Sequence, residues 1–151
     1  YEANGLELEG DINIGDYFFI RGNATFIDAE ISKDRDNPAI VGNTPRRQAD
    51  MIWTIIPEYR SDRFAAGIVL QGSTDFFLQD NNDLKQEAYN LFNLFANWNV
   101  NDSLLVYLNV NNLTDEFVIT EAEEGSGDIG SIIRARPLSG RSSVIGISYL
   151  F

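Results

Sequence analysis

Four arginines are the residues of this sequence best equipped for binding chemistry: Arg46 and Arg47 in one polar stretch, Arg134 and Arg136 in another. A guanidinium fork matches the paired oxygens of carboxylate and phosphate, so the set suits an anionic ligand and equally suits salt bridges to acidic loops. Phe76 and Phe77, with Tyr89 across the same polar stretch, offer rings for stacking, although packing within the loop is the favoured role. Asp80, Asn81, Asn82 and Asp83 supply oxygen ligands of the kind calcium takes, but without the glycine and closing glutamate of an EF-hand loop. Asn and Asp crowd turns for backbone reasons, so no metal site is assigned. Glu121, Glu123, Glu124 and Asp128 form a second acidic group, explained as well by a solvated loop or by surface-bound divalent ions as by ligand binding. Glu7, Glu9 and Asp11 recur at every second position, either a cation-attracting stripe or the wet face of a wall, the latter favoured.

Cys and His are absent from the 151 residues. Their absence removes disulfides, thiolate metal sites, Cys nucleophiles and the commonest general base. The carboxylates form no recognisable pair, so no enzyme is expected and no cofactor is implied. With 44% hydrophobic and 12% aromatic residues the chain is too apolar for disorder, and its net charge of -12 goes with no nucleic-acid partner. No apolar run approaches the roughly 18 residues of a membrane helix, so any crossing of a bilayer must use strands. A barrel strand puts only alternate residues into lipid, which makes a mean hydropathy of -0.18 compatible with crossing.

The elements that would position these residues are strands. Period-two alternation predicts about seven of them. In the first, Leu6, Leu8, Ile12 and Ile14 oppose Glu7, Glu9, Asp11 and Asn13; the second runs through Phe18 to Phe26, the third through Ala49 to Arg60, and the fourth through Phe64 to Gln71. The fifth opposes Phe92, Leu94, Ala96 and Trp98 to Asn93, Phe95, Asn97 and Asn99, and the sixth spans Leu104 to Asn111. Ser139 to Phe151 is the seventh, with Ile145, Ile147, Tyr149 and Phe151 on one face.

Connections alternate in length. Gly15-Asp16, Ser61-Asp62 and Asn101-Asp102 have the chemistry of two-residue turns, whereas Ile31 to Arg47, Ser73 to Gln86 and Thr114 to Leu138 are long. All the tight turns therefore fall at one end of an antiparallel meander, the arrangement of an outer-membrane barrel with short periplasmic turns and long extracellular loops. Tyr17, Phe18, Tyr59, Phe64, Trp98 and Phe151 lie near the tight-turn end, where an aromatic girdle would meet the bilayer surface. Seven strands leave two costly open edges in lipid. The opening Tyr1-Glu2-Ala3-Asn4 shows no secretion signal. Both features predict a piece of a longer chain.

Three segments carry a family resemblance: Gly5 to Gly10 as a strand leading into the barrel, Asn109 to Glu116 after the penultimate strand, and Gly140 to Phe151 as the terminal strand. The middle one is similar to a recurring Asn-x-x-Asn-Leu-Phe-Asp element, with Thr114 where Phe is commoner. Together they resemble the carboxy-terminal part of a TonB-dependent outer-membrane receptor. That resemblance implies a 22-stranded barrel, of which residues 1–151 are the last portion, with a plug domain and TonB box upstream. It implies import of a scarce nutrient (a ferric siderophore, cobalamin or an oligosaccharide) in the outer membrane of a Gram-negative bacterium. The implied partners are the upstream strands and plug, the TonB complex and the barrel-assembly machinery, for which Ile147, Tyr149 and Phe151 would be the recognition signal. Lipopolysaccharide would meet the outer arginines. The rival readings are a plug-less porin-like barrel and a secreted all-β carbohydrate-binding domain.

Overall fold

A computed structural model of the chain describes residues 1–123 and 132–151. Seven long strands form one antiparallel sheet: β1 (Glu2–Ile14), β2 (Phe18–Glu30), β3 (Met51–Arg60), β4 (Phe64–Ser73), β7 (Tyr89–Asn101), β8 (Leu104–Asn111) and β11 (Ser142–Tyr149). Their spatial order is their chain order, with β1 and β11 at the two edges. Two small hairpins lie within the long connections, β5 (Phe76–Phe77) with β6 (Lys85–Gln86) and β9 (Ile119–Ala122) with β10 (Ala135–Pro137). A 3-10 turn, Pro38–Ile40, sits between β2 and β3.

All seven expected strands are present, and their alternation has the physical meaning assigned to it. Following the register across the sheet, Leu6 faces Phe26, Phe26 faces Met51, Ile55 faces Leu70, Ile68 faces Leu94, Ala96 faces Leu108, and Leu108 faces Ile145. Residues directly opposite share a face, so one face is apolar from edge to edge. The other carries Glu7, Glu9, Asp11, Asn23, Thr54, Gln71, Asn93 and Asn109. No second sheet covers the apolar face among the described residues. Leu8, Ile12, Ile68, Ile145 and Ile147 all remain exposed. A soluble sandwich would press such faces together; this sheet turns its own outward.

The turns differ from expectation by one residue. Ile14 pairs with Phe18, so the first turn has three residues, Gly15 to Tyr17, with Gly15 at φ 64°. Ser61 N–H donates to Phe64 O at 2.7 Å, which centres the second turn on Asp62-Arg63. Asn101 still pairs with Leu104, which leaves Asp102-Ser103 as the third, anchored by Ser103 N–H on Asn101 Oδ1 at 2.9 Å. The terminal strand begins at Ser142 rather than Ser139 and ends at Tyr149, short of Phe151, with one more bond from Leu150 N–H to Ser103 O at 2.9 Å. Strands β1 and β2 run further outward than their alternation suggests, because the ladder continues to Glu2 opposite Glu30.

Among the described residues, buried hydrophobic side chains occur only in the layer beyond the long-loop ends of the strands. Ile31, Ala49, Phe76, Leu78, Val118 and Ala122 are the buried hydrophobic residues described, and none lies in the seven long strands. Within the sheet, aromatic rings fill gaps at glycines: Trp53 covers Gly72 on the apolar face, while Phe95 covers Gly67 and Tyr107 covers Gly146 on the polar one.

Candidate functional site

Two surfaces can meet a ligand: the polar face of the sheet, and the loop layer at its outer end. On the polar face, the expected row of Glu7, Glu9 and Asp11 stands on edge strand β1, opposite Thr25, Asn23 and Arg21 of β2. Asp11 is paired with Arg21 at 3.4 Å, and both are well exposed. Glu7 and Glu9 face neutral partners, so the β1–β2 end of the wall is acidic. The β7–β8 end is neutral and amide-rich, with Asn93 Nδ2 donating to Gln71 Oε1 at 3.3 Å. Toward the tight turns Glu58 is held by Arg60, whose Nε and Nη2 donate to its two oxygens at 3.0 Å each. The same guanidinium lies 5.3 Å from the Phe19 ring centre.

In the loop layer the structure gathers all seven expected ligand-facing residues, but mostly on one another or on acidic neighbours. Arg47 and Arg136 grip the two oxygens of Glu121, at 3.0 and 2.9 Å. Arg134 lies 3.6 Å from Glu123. Arg46 lies 3.6 Å from Asp80, whose other oxygen accepts from Arg46 N–H at 2.8 Å. These are the salt bridges to acidic loops that the sequence left open as an alternative to anion binding. The guanidinium groups of Arg134 and Arg136 remain largely exposed.

Phe76 is buried, edge-on to Tyr89 with ring centres 6.5 Å apart, in a cluster with Ala49, Leu78 and Ala122. It packs the layer. Phe77 contributes its carbonyl to Arg47 N–H at 2.7 Å. Asp80 and Asn82 also lace loop to loop: Asp80 O accepts from Asn43 Nδ2 at 2.9 Å, and Asn82 exchanges bonds with the Thr44 backbone at 3.1 and 2.8 Å. Asn81 Nδ2 donates to Asp83 Oδ2 at 2.8 Å. Glu124 and Asp128 lie outside the described residues. Asp75 and Lys85 close the β5–β6 hairpin at 2.6 Å. The hydrogen bond from Lys85 holds the Asp75 carboxyl below its ordinary range, and the same bond holds the Lys85 ammonium above its own.

The residues of the expected assembly signal lie at the opposite end. Ile147 and Tyr149 occupy the apolar face of β11, and Tyr149 stacks edge-on to Phe151 at 5.0 Å. At the same end but across the sheet, Tyr59 touches Tyr17, Phe18 and Phe64 with ring centres 5.2–6.2 Å apart, the start of an aromatic band at the tight-turn end.

Two buried polar residues escaped sequence reasoning. Gln79 is fully buried and donates to Glu123 O at 2.6 Å, and nothing in its polar surroundings distinguishes it. Asn112 is buried with its amide bonded on both sides. Its signal was the recurring element, which marked the position without giving its role.

A family model described as TonB dependent receptor-like, beta-barrel matches residues 2–113. The siderophore receptor PiuA from Acinetobacter baumannii is similar over 97% of this chain and 21% of its own, with 22% identity and a TM-score of 0.79. The ferric yersiniabactin uptake receptor FyuA from Yersinia pestis is similar over 96% of the chain and 22% of its own, at 19% identity and TM-score 0.75. The ferric-catecholate import receptor Fiu from E. coli K12 gives 99% and 21%, at 20% identity and TM-score 0.76. No curated relative matches the chain. The chain thus spans about a fifth of the length of these receptors. A one-layer meander with an oily outer face, and a family match covering most of its length, make this chain a member of the TonB-dependent receptor family and its sheet a portion of that family's β-barrel.

Proposed function

We propose that the chain is the carboxy-terminal wall of an outer-membrane receptor that imports a scarce nutrient, a ferric siderophore before cobalamin or an oligosaccharide. The observation that carries this reading is the division of the sheet into an uncovered apolar face and a polar face with carboxylates and amides. Such a wall is stable where lipid wets one side and water or a plug the other. The ligand class is supported by the siderophore and ferric-chelate receptors that share the fold.

In this reading the tight turns face the periplasm and the loop layer faces outward. The plug and TonB box precede residue 1, and the polar face encloses the plug. The protein acts as a receptor and not as an enzyme, with energy relayed by TonB. Arg134 and Arg136 are the arginines best placed to meet an anionic ferric chelate or lipopolysaccharide phosphate, because their guanidinium groups stay open to water while paired. Arg46, Arg47, Phe76, Phe77 and Tyr89 shape the layer that presents them.

The experiment is uptake. The full-length gene, deleted and then restored in its host, should be required for growth on one ferric siderophore as sole iron source, with the protein in outer-membrane fractions as a heat-modifiable band. A water-soluble product without heat-modifiable mobility would refute the reading, as would a membrane barrel whose deletion changes no nutrient uptake.

A further inference from the structure

Of the seven long strands, β11 alone belongs to no tight-turn hairpin. The hairpins β1–β2, β3–β4 and β7–β8 are framed by tight turns, whose geometry fixes which residues pair. Residues 112–141 separate β8 from β11, far too long a connection to set a frame. Hydrophobic pattern does not settle it either. A slip of one residue would turn Ile145 and Ile147 to the polar face and is excluded. A slip of two keeps oily residues opposite oily residues, because Leu104, Val106, Leu108 and Val110 are nearly equivalent partners.

Just where β8 ends, a compact set of bonds ties it to the start of β11. Asn112, at φ 48°, has its buried amide oxygen accepting from Glu116 N–H at 2.8 Å. Its Nδ2 donates to Glu116 O at 2.9 Å and to Ser139 O at 3.2 Å. Its own N–H donates to Asn93 Oδ1 of β7 at 2.8 Å. Asp115, at φ 59°, accepts from Arg141 N–H at 2.7 Å, and Arg141 Nη1 reaches back to Leu113 O at 3.3 Å. Both backbones are left-handed, a conformation Asn and Asp tolerate better than other side-chain-bearing residues. Ser139 and Arg141 are thus fixed relative to β7 and β8 immediately before pairing begins at Ser142 opposite Asn111.

We propose that Asn112 and Asp115 form a clasp whose role is to set the pairing frame of β11. They are positioning residues at the root of the connection that carries Arg134 and Arg136. The proposal rests on the barrel reading, because in a closed barrel the staggers of all strand pairs must add to one fixed value. A terminal strand displaced by two residues would present the wrong frame to the strand that closes the barrel. Tyr107, lying over Gly146, then holds the frame part-way along the strand.

The test is made in the full-length receptor in its outer membrane. This segment has no cysteine, so pairs can be introduced: Leu108→Cys with Ile145→Cys reports the native frame, and Leu108→Cys with Ile147→Cys reports a slip of two. Without other changes only the first pair should crosslink. Asn112→Gly keeps the left-handed backbone and removes the amide; combined with Asp115→Ala, it should raise the slipped-to-native ratio at least about fivefold, the scale of losing one net hydrogen bond. Asp115→Asn keeps the accepting oxygen and should restore the native frame in combination with wild-type Asn112. Native crosslinking alone in the Asn112→Gly/Asp115→Ala variant would overturn the proposal. So would loss of receptor with no slipped product, since that marks a merely structural contact. If the unmodified protein is absent from the outer membrane, it is the barrel reading that fails.

Discussion

In the seven long strands a continuous face of large apolar side chains lies uncovered, whereas in the loop layer beyond them such side chains point at one another. Ile68 and Ile147 of the wall lie open, while Leu78 and Val118 of the layer are fully buried. One chain thus uses two solvents. The wall relies on hydrocarbon to cover its outer face and on its ladder to satisfy the backbone. The layer follows the rules of a small soluble domain, with a dry cluster of Ala49, Phe76, Leu78 and Ala122 rimmed by ion pairs.

Substitutions that act on one region alone should leave the other unchanged. The largest effect is expected from Leu78→Ala, which should cost the layer about 2–5 kcal/mol of local stability. Proteolysis of the loops should accelerate while the barrel's heat-modifiable mobility is unchanged; equal loosening of both regions would show that they are not separate. Ile68→Arg, on the outer face of β4, should cost the wall roughly 2–4 kcal/mol near mid-membrane, read as a lower denaturant midpoint for folding into vesicles. Gln71→Arg, on the other face of the same strand, should leave that midpoint nearly unmoved.

Smaller effects sharpen the picture. Gly146→Val places a branched side chain into the ring of Tyr107 and should cost about 1–3 kcal/mol, with relief when Tyr107→Ala is added. The Asp75–Lys85 pair should contribute least, being exposed. Asp75 is held low, so its contribution is present above the ordinary carboxylate range and fades as pH falls from that range through its own lowered value. Lys85 is held high, so its contribution is present below the ordinary ammonium range and fades as pH rises through its own value. Protection of the β5–β6 hairpin from proteolysis should therefore be flat around neutrality and weaken at both extremes, a dependence that Asp75→Asn should abolish.

The wall was legible in the sequence because its signal is local and repeated. Leu6, Leu8, Ile12 and Ile14 alternate with Glu7, Glu9, Asp11 and Asn13, and only one solvent arrangement suits such a run without a covering sheet. The turn at Asp62-Arg63 was misplaced by one residue because Ser61 has turn chemistry but stands at the turn's first position, outside its centre. The layer was illegible for a different reason. Strands β5 and β6 are two residues each, too short for any period, and Phe76 is buried by Ala49 and Ala122, which lie far from it in the chain. Arg47 and Arg136 could be named as anion-binding candidates, but their common grip on Glu121 depends on loop-to-loop geometry that spacing does not encode.

The most direct test of the account is site-directed spin labelling along β4 of the receptor in bilayers, at Phe64, Ala65, Ala66, Gly67, Ile68, Val69, Leu70 and Gln71 in turn. Collision with oxygen, which concentrates in lipid, should peak at Phe64, Ala66, Ile68 and Leu70. Collision with a water-soluble nickel chelate should not follow that pattern, and should be highest at the alternate positions that water reaches. Uniform access along the strand, or oxygen maxima at Ala65, Gly67, Val69 and Gln71, would contradict the assignment of faces on which the barrel reading stands.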